Sequence, residues 1–200
     1  MDNIIDLYAR AAATVYGVIN FDDFFRIMDS YYGKGGLSKE KIMQYFWTSP
    51  NDDPMYYIQD EVIVHASISP DEVGQAIYRI HHPIGAAAPP QHRILPEKEF
   101  LQYANPLYYE DSCGTQKMAA FLTDDLGIAP EDAKDIVLEM VFICRTGSCP
   151  TLLMDAIKRR GYPVGLNHNL QIIERGIEIA ANTRQWERLG ATGNEMAGRQ

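Results

Sequence analysis

The stretch that decides the fold is Asn20-Phe21-Asp22-Asp23-Phe24-Phe25-Arg26-Ile27-Met28-Asp29-Ser30-Tyr31-Tyr32-Gly33. Phe21, Phe24, Phe25, Met28, Tyr31 and Tyr32 recur at three- and four-residue spacing, the period that gathers side chains on one face of a helix. Asn20 is placed to cap that helix, and Asp22 and Asp23 suit the positive end of its dipole. Gly33, Gly35 and Gly36 stop it, because glycine takes the left-handed conformation a helix end requires. Upstream, Ile4, Tyr8, Ala11, Ala12 and Val15 predict a helix from Asp2 to Tyr16. Downstream, Ser38 caps a third helix that carries Ile42, Met43 and Phe46 inward and stops before Pro50. After the polar turn Asn51-Asp52-Asp53-Pro54 the period changes. Met55 to Gln59 and Glu61 to Ala66 are rich in Tyr, Ile and Val and bend near Asp60, which reads as a two-stranded hairpin. The Asp60-Glu61 bend lacks the Asn-Gly pair that best marks such turns. Phe24, Phe25 and Met28 are expected to form a core with Val15 and Phe46.

Three short helices and a hairpin outline a winged-helix-like unit over residues 1–81. Ser69-Pro70-Asp71-Glu72 predicts the start of a fourth helix, buried through Val73, Ala76, Ile77 and Ile80. Residues 82–96, with three alanines and Pro89-Pro90, read as a linker. Residues 97–200 read as a helical bundle. Glu97 to Ala104 forms a short helix and Asn105 to Asp111 a tyrosine-bearing loop. Met118, Phe121 and Leu122 place a helix before Gly127. Pro130-Glu131-Asp132 opens the best-defined helix, with Ala133, Ile136, Val137, Met140, Val141 and Cys144 inward. Pro150 starts the next, with Leu152, Leu153, Ala156 and Ile157 inside and Lys158-Arg159-Arg160 at its negative end. A last helix spans residues 167–186 on Leu170, Ile173, Ile177 and Ala180. The expected fold class is mainly α, a winged-helix-like unit with one β-hairpin joined to a C-terminal helical bundle.

The formal net charge of −9 argues against a nucleic-acid partner, since phosphate binding draws on clustered Lys and Arg. The charge is unevenly spread. Residues 97–142 carry 3 basic and 10 acidic side chains, and from Ile143 onward 8 basic side chains face 5 acidic ones. Such asymmetry fits either a docking surface or a plainly solvated region. The polar positions of the third helix are Lys39, Glu40, Lys41, Gln44 and Thr48, and the hairpin tip is Asp60 and Glu61. Two lysines beside an acidic wing promise little counterion release. The clustered carboxylates, among them Asp22, Asp23, Asp52, Asp53, Asp71, Glu72, Asp124, Asp125, Glu131, Asp132 and Asp135, admit two readings. They are solvated helix ends and turns, or a surface that stands in for phosphates in a basic groove.

No apolar run approaches the ~20 residues that cross a bilayer, and the first residues lack the layout of a secretory signal. Three cysteines are too few for a disulfide framework, so a cytoplasmic protein is expected. Cys144 and Cys149 have a spacing a zinc knuckle can use, yet Cys144 falls on an apolar stripe where a thiol serves as a small hydrophobe. Cys149, ahead of Pro150, could be activated at a helix N-terminus, with His168 as the nearest candidate base. His81, His82 and His92 are expected at a helix end and on the surface. No phosphate loop, nucleophile elbow or His-Glu-x-x-His is present, so no catalytic residue, cofactor or metal site is assigned.

The C-terminal segment Asn182-Thr183-Arg184-Gln185-Trp186-Glu187-Arg188 places an aromatic between two arginines. It is expected to fold back as a clasp or to bind a partner. It resembles the Asn-Thr-Arg-x-Trp ending of uncharacterised Firmicutes proteins, some of which continue into a SEC-C metal-binding tail. The likeness extends to the Leu-Tyr-Ala-Arg-Ala-Ala opening and the Tyr-Tyr hairpin. It implies no activity, and with no cysteine after Cys149 the metal role of that tail does not carry over. The candidate partner-binding residues are Arg184, Trp186, Arg188, Asp60 and Glu61. The expected function is a non-enzymatic interaction or regulatory protein of a bacterial cell or its mobile elements, with a protein partner. A winged-helix DNA-binding regulator is the alternative, and an unrecognised enzyme the third.

Overall fold

The computed structural model describes residues 2–33, 38–49, 53–82, 91–147 and 151–198. Gly35, Gly36, Pro50, Asn51, Asp52, residues 83–90, Cys149 and Pro150 lie outside the described residues. The chain forms two compact units. One is Met1–Tyr108 with Trp186–Gly190, and the other is Tyr109–Gln185 with Ala191–Gln200.

The first unit runs α1 (Asp2–Tyr16), β1 (Val18–Asn20), α2 (Phe21–Tyr32), α3 (Lys39–Thr48), β2 (Tyr56–Gln59), β3 (Val62–His65), α4 (Val73–His81) and α5 (Glu97–Phe100), extended by a 3-10 turn, Leu101–Ala104. The order helix, strand, helix, helix, hairpin is that of a winged helix. The sheet is antiparallel in the order β1-β3-β2, so one strand is added to the expected hairpin. At three residues β1 is too short to show alternation in sequence. Asn20 caps α2, its side chain accepting from the Asp23 N–H, and Ser38 caps α3 through the Lys41 N–H. Gly33, at φ 69°, closes α2. Ser69–Glu72 is a turn ahead of α4 rather than its first turn. The Glu72 N–H donates to the Ser69 carbonyl at 2.9 Å, and the helix begins at Val73.

The hairpin pairs Gln59 with Val62, leaving Asp60 and Glu61 as a two-residue loop. Both carry positive φ, 49° and 62°, the signature of the turn whose twist matches the strands. Neither is glycine, so the loop is strained. The Glu61 carbonyl is fixed by the Phe21 N–H at 3.0 Å.

The core of this unit surrounds α1. Tyr8, Ala9, Ala11, Ala12, Ala13, Val15 and Tyr16 have no exposed surface, so the C-terminal half of α1 is buried on nearly every side, Arg10 being half-exposed, and its alanines admit close neighbours. Phe24, Ile27 and Met28 meet it from α2, and Phe46 stacks on Phe21 with ring centroids 5.1 Å apart. Phe25 departs from its expected place. It is half-buried at the edge of the core, one step round the helix from Phe24, and Ile27 fills the interior position instead. Leu95, Phe100, Tyr103 and Ala104 also belong to this core. The described part of the expected linker is held by tyrosines. Tyr16 donates to the Arg93 carbonyl at 2.8 Å, Tyr31 to the Leu95 carbonyl at 2.9 Å, and Tyr8 to the Glu97 carboxylate.

The second unit runs α6 (Cys113–Ala120), continued by a π turn at Phe121–Asp125, then α7 (Pro130–Arg145), α8 (Thr151–Lys158), α9 (Leu166–Asn182) and α10 (Gly193–Ala197). Ile136, Val137, Met140 and Val141 of α7 lie at its centre, with Met118, Leu122, Leu153, Ile157, Ile172 and Ile179. Two glycines set the helix spacing. A Cβ at Gly176 would fall 2.3 Å from Leu153 Cδ1, and one at Gly114 2.8 Å from the α9 backbone. Leu152, expected inside, is 37% exposed. The last helix ends at Asn182, and it buries Ile172, Gly176 and Ile179 in place of the expected Leu170 and Ile177. Both stripes have helical period, and the small Gly176 decides which one packs.

Candidate interaction surfaces

The outward face of α3 carries Glu40, Lys41, Gln44, Trp47 and Thr48, all exposed. Ile42 and Phe46 anchor the helix from beneath. Trp47 is 71% exposed, an unusual setting for the largest apolar side chain. The cationic side chain at the start of α3 is engaged internally, since Lys39 forms an ion pair with Asp22 of α2. Glu61 and Glu40 add to the negative field that raises the Lys39 ammonium pKa after the Asp22 bond itself. Asp60 and Glu61 are exposed at the hairpin tip. The face is therefore an apolar ring among mixed charges with an acidic edge.

Other acidic residues of this unit serve the fold. Asp6 accepts from the Tyr45 and Tyr56 hydroxyls, each at 2.6 Å, tying α1 to α3 and β2. Asp53 accepts from Arg10 Nε at 2.8 Å and from the Met55 N–H at 2.9 Å. Asp23 caps with Asn20 and pairs with Arg26 at 2.9 Å. His92, expected at the surface, is buried instead. Its ring stands edge-on to Tyr16 at 4.9 Å, with Nδ1 3.5 Å from Asp23 Oδ2.

Of the five candidate partner-binding residues, Asp60, Glu61 and Arg188 are exposed, whereas Arg184 and Trp186 are buried. Trp186 belongs to the first unit. Its indole N–H donates to the Thr14 carbonyl at 3.0 Å, one of the α1 carbonyls that lacks an intrahelical donor. The ring lies on Gly17, where a Cβ would come within 2.4 Å of Trp186 Cδ2. His65 flanks it, ring centroids 5.2 Å apart. The Leu189 carbonyl then accepts from the Arg93 N–H at 2.9 Å, and Gly190, at φ +81°, lets the chain pass Tyr16. This is the geometry of a clasp.

Arg184 belongs to the second unit, in a charge-balanced cluster. Its backbone N–H donates to Glu110 at 3.3 Å and its guanidinium to Glu195 at 3.1 Å. Arg145, 5% exposed, lies 3.6 Å from the same Glu110. Glu195 also completes a capping box with Thr192 at the start of α10. The basic run at the end of α8 is likewise engaged, Arg159 and Arg160 both pairing with Glu139.

Cys144 is buried, its thiol directed to the Gly176 carbonyl at 3.9 Å, and burial pushes its pKa up to about 11. That keeps it a neutral thiol at ordinary pH. Among the described residues no three His, Cys, Asp or Glu side chains are gathered to hold a metal. No described helix is long and apolar enough to cross a membrane. Trp47 and the exposed side of α9 were not singled out as surface by sequence reasoning. The four-residue spacing from Ile42 places Phe46 inward, as observed, and leaves the adjacent Trp47 turned outward. No family model, curated protein or solved structure matches the chain.

Proposed function

We propose that this chain is a non-enzymatic interaction protein with a regulatory role, and that its winged-helix-like unit docks another protein through the outer face of α3. The observation that carries this reading is Trp47. An exposed tryptophan on a helix whose outward face otherwise carries Glu40, Lys41, Gln44 and Thr48 has the make-up of an interface hot spot on a polar surface. We place it in the cytoplasm of a bacterial cell, on its own account or on that of a mobile element.

The winged-helix element order favours a second reading, a duplex-reading regulator in which α3 enters the major groove. Charge weighs against it. Lys39 is bonded to Asp22, and Asp60 and Glu61 occupy the wing tip that would lie along phosphates. Affinity capture from bacterial lysate with the intact chain and with Trp47→Ala tests the proposal. A protein retained by the former and lost with the latter, at unchanged melting temperature, supports it. Retention indifferent to Trp47 refutes it.

A further inference from the structure

Charge is unevenly placed around Trp47. At about 100° per residue, Glu40, Gln44 and Trp47 fall in one sector of α3 roughly 60° wide, whereas Lys41 stands about 120° round the helix from Trp47. All four are exposed. Glu40 and Trp47 are separated by about 10 Å of helix rise. The hairpin tip stands at the Glu40 end, on the flank that carries Lys39. There the Glu61 carbonyl accepts from the Phe21 N–H at 3.0 Å, Lys39 binds the neighbouring Asp22, and Glu61 and Glu40 both lie close enough to raise the Lys39 ammonium pKa. Lys39 is thereby neutralised within the chain. Among the described residues no ion pair engages Glu40, Asp60 or Glu61. The sector that holds Trp47 has an acidic end and no cation of its own.

We infer that this face takes a basic segment of the partner protein, with one arginine lying on the Trp47 indole and a second cation meeting Glu40, Asp60 and Glu61. The inference rests on the docking reading given above and names the chemistry of the partner. An uncharged surface closing over the sector would strip water from three carboxylates and give them no counter-charge. An acidic surface would set like charges together, and a phosphate backbone would do the same. A basic surface alone compensates the desolvation. Trp47 fits the same partner, because tryptophan attracts a cation over its face more strongly than any other ring, and a planar guanidinium also stacks on it. The rise between Glu40 and Trp47 is matched by two arginines seven residues apart on a partner helix, about 10 Å along its own axis.

Fluorescence anisotropy of the full chain tests this with a labelled alanine-glutamine peptide of about 20 residues, long enough to be helical, that carries arginines at seven-residue spacing. It should bind roughly tenfold more tightly than the same peptide with glutamine at those positions, and more weakly as salt screens the exposed charges. Trp47→Ala should weaken binding about tenfold. Asp60→Lys combined with Glu61→Lys should weaken it about fivefold to tenfold, both variants keeping the parent melting temperature. Glu131→Lys, an exposed reversal in the other unit, should leave the affinity unchanged. A glutamine or glutamate peptide held as tightly through Trp47 overturns the inference while leaving the docking face standing. Arginine-peptide binding that ignores Trp47, or falls equally with Glu131→Lys, is bulk attraction to an acidic chain and overturns it. So does a duplex DNA that displaces the peptide, or the absence of binding. Failure of the docking reading itself shows separately, as retention from lysate that is indifferent to Trp47.

Discussion

Gly17→Ala offers the sharpest test of how the C-terminal segment secures the first unit. Two costs are expected. Gly17 sits at φ +75°, where a Cβ adds about 1–2 kcal/mol of backbone strain. The new methyl would also lie 2.4 Å from Trp186 Cδ2 and 2.7 Å from Cε3, an overlap with a ring that cannot swing away. Forced overpacking of this kind costs about 1–3 kcal/mol more. Trp186→Ala alone should cost about 3–5 kcal/mol, as for buried aromatics, since it also leaves the Thr14 carbonyl without its donor. In the double variant the overlap vanishes, and of the two Gly17→Ala costs only the backbone strain is added to the loss from Trp186→Ala. Urea unfolding of the four proteins, followed by far-UV circular dichroism, should therefore show a coupling of about 1–3 kcal/mol. Trp186→Phe should lose about 1–3 kcal/mol through the orphaned carbonyl alone. Strict additivity of Gly17→Ala and Trp186→Ala, within about 0.5 kcal/mol, would refute the clasp.

Four further outcomes follow. Phe24→Ala should destabilise by about 3–5 kcal/mol, whereas half-buried Phe25→Ala should cost clearly less, and equal losses in thermal unfolding would contradict the packing of α2. Glu61→Gly relieves a positive φ in the hairpin and should stabilise by about 1 kcal/mol, with destabilisation speaking against the turn geometry. Glu110→Ala removes a carboxylate that both buried Arg145 and the Arg184 N–H approach and should cost about 1–3 kcal/mol, while no measurable loss would show the cluster to be solvated. Burial raises the phenol pKa values of Tyr8, Tyr31 and Tyr56 above the ordinary 10. The protonated phenols favour the folded state, so this stability is complete below pH 10 and is lost as pH climbs through the raised values. Phenolate absorbance should then rise together with unfolding, and free titration of these groups near pH 10 in the folded chain would contradict their burial.

The order of elements in the first unit was legible because its signals are local. Asn20 and Ser38 are side chains that cap their own helices, and the change of period after Pro54 needs no tertiary knowledge. The three-residue β1 was not legible, because it exists only through its pairing with β3. His92 and Leu95 read as linker because proline and alanine dominate that stretch, while the tyrosine hydroxyls that hold it come from α1 and α2. On α9 two stripes satisfy the same period, and a glycine among the apolar residues carries no hydrophobic signal. Its close approach to Leu153 is what turns Leu166, Leu170 and Ile177 outward. Arg184 and Trp186 stood out by composition, but their burial depends on Glu110, Thr14 and Gly17, which are distant in sequence.

The measurement that bears most directly on the proposed function is site-specific photo-crosslinking from position 47 in living bacterial cells. A benzophenone amino acid replaces Trp47, and the adducts are resolved with and without nuclease treatment. The account predicts a discrete protein adduct that survives nuclease and is absent when the same probe occupies exposed Lys134 of α7. A nuclease-sensitive adduct, or no adduct beyond that of the control position, would contradict it.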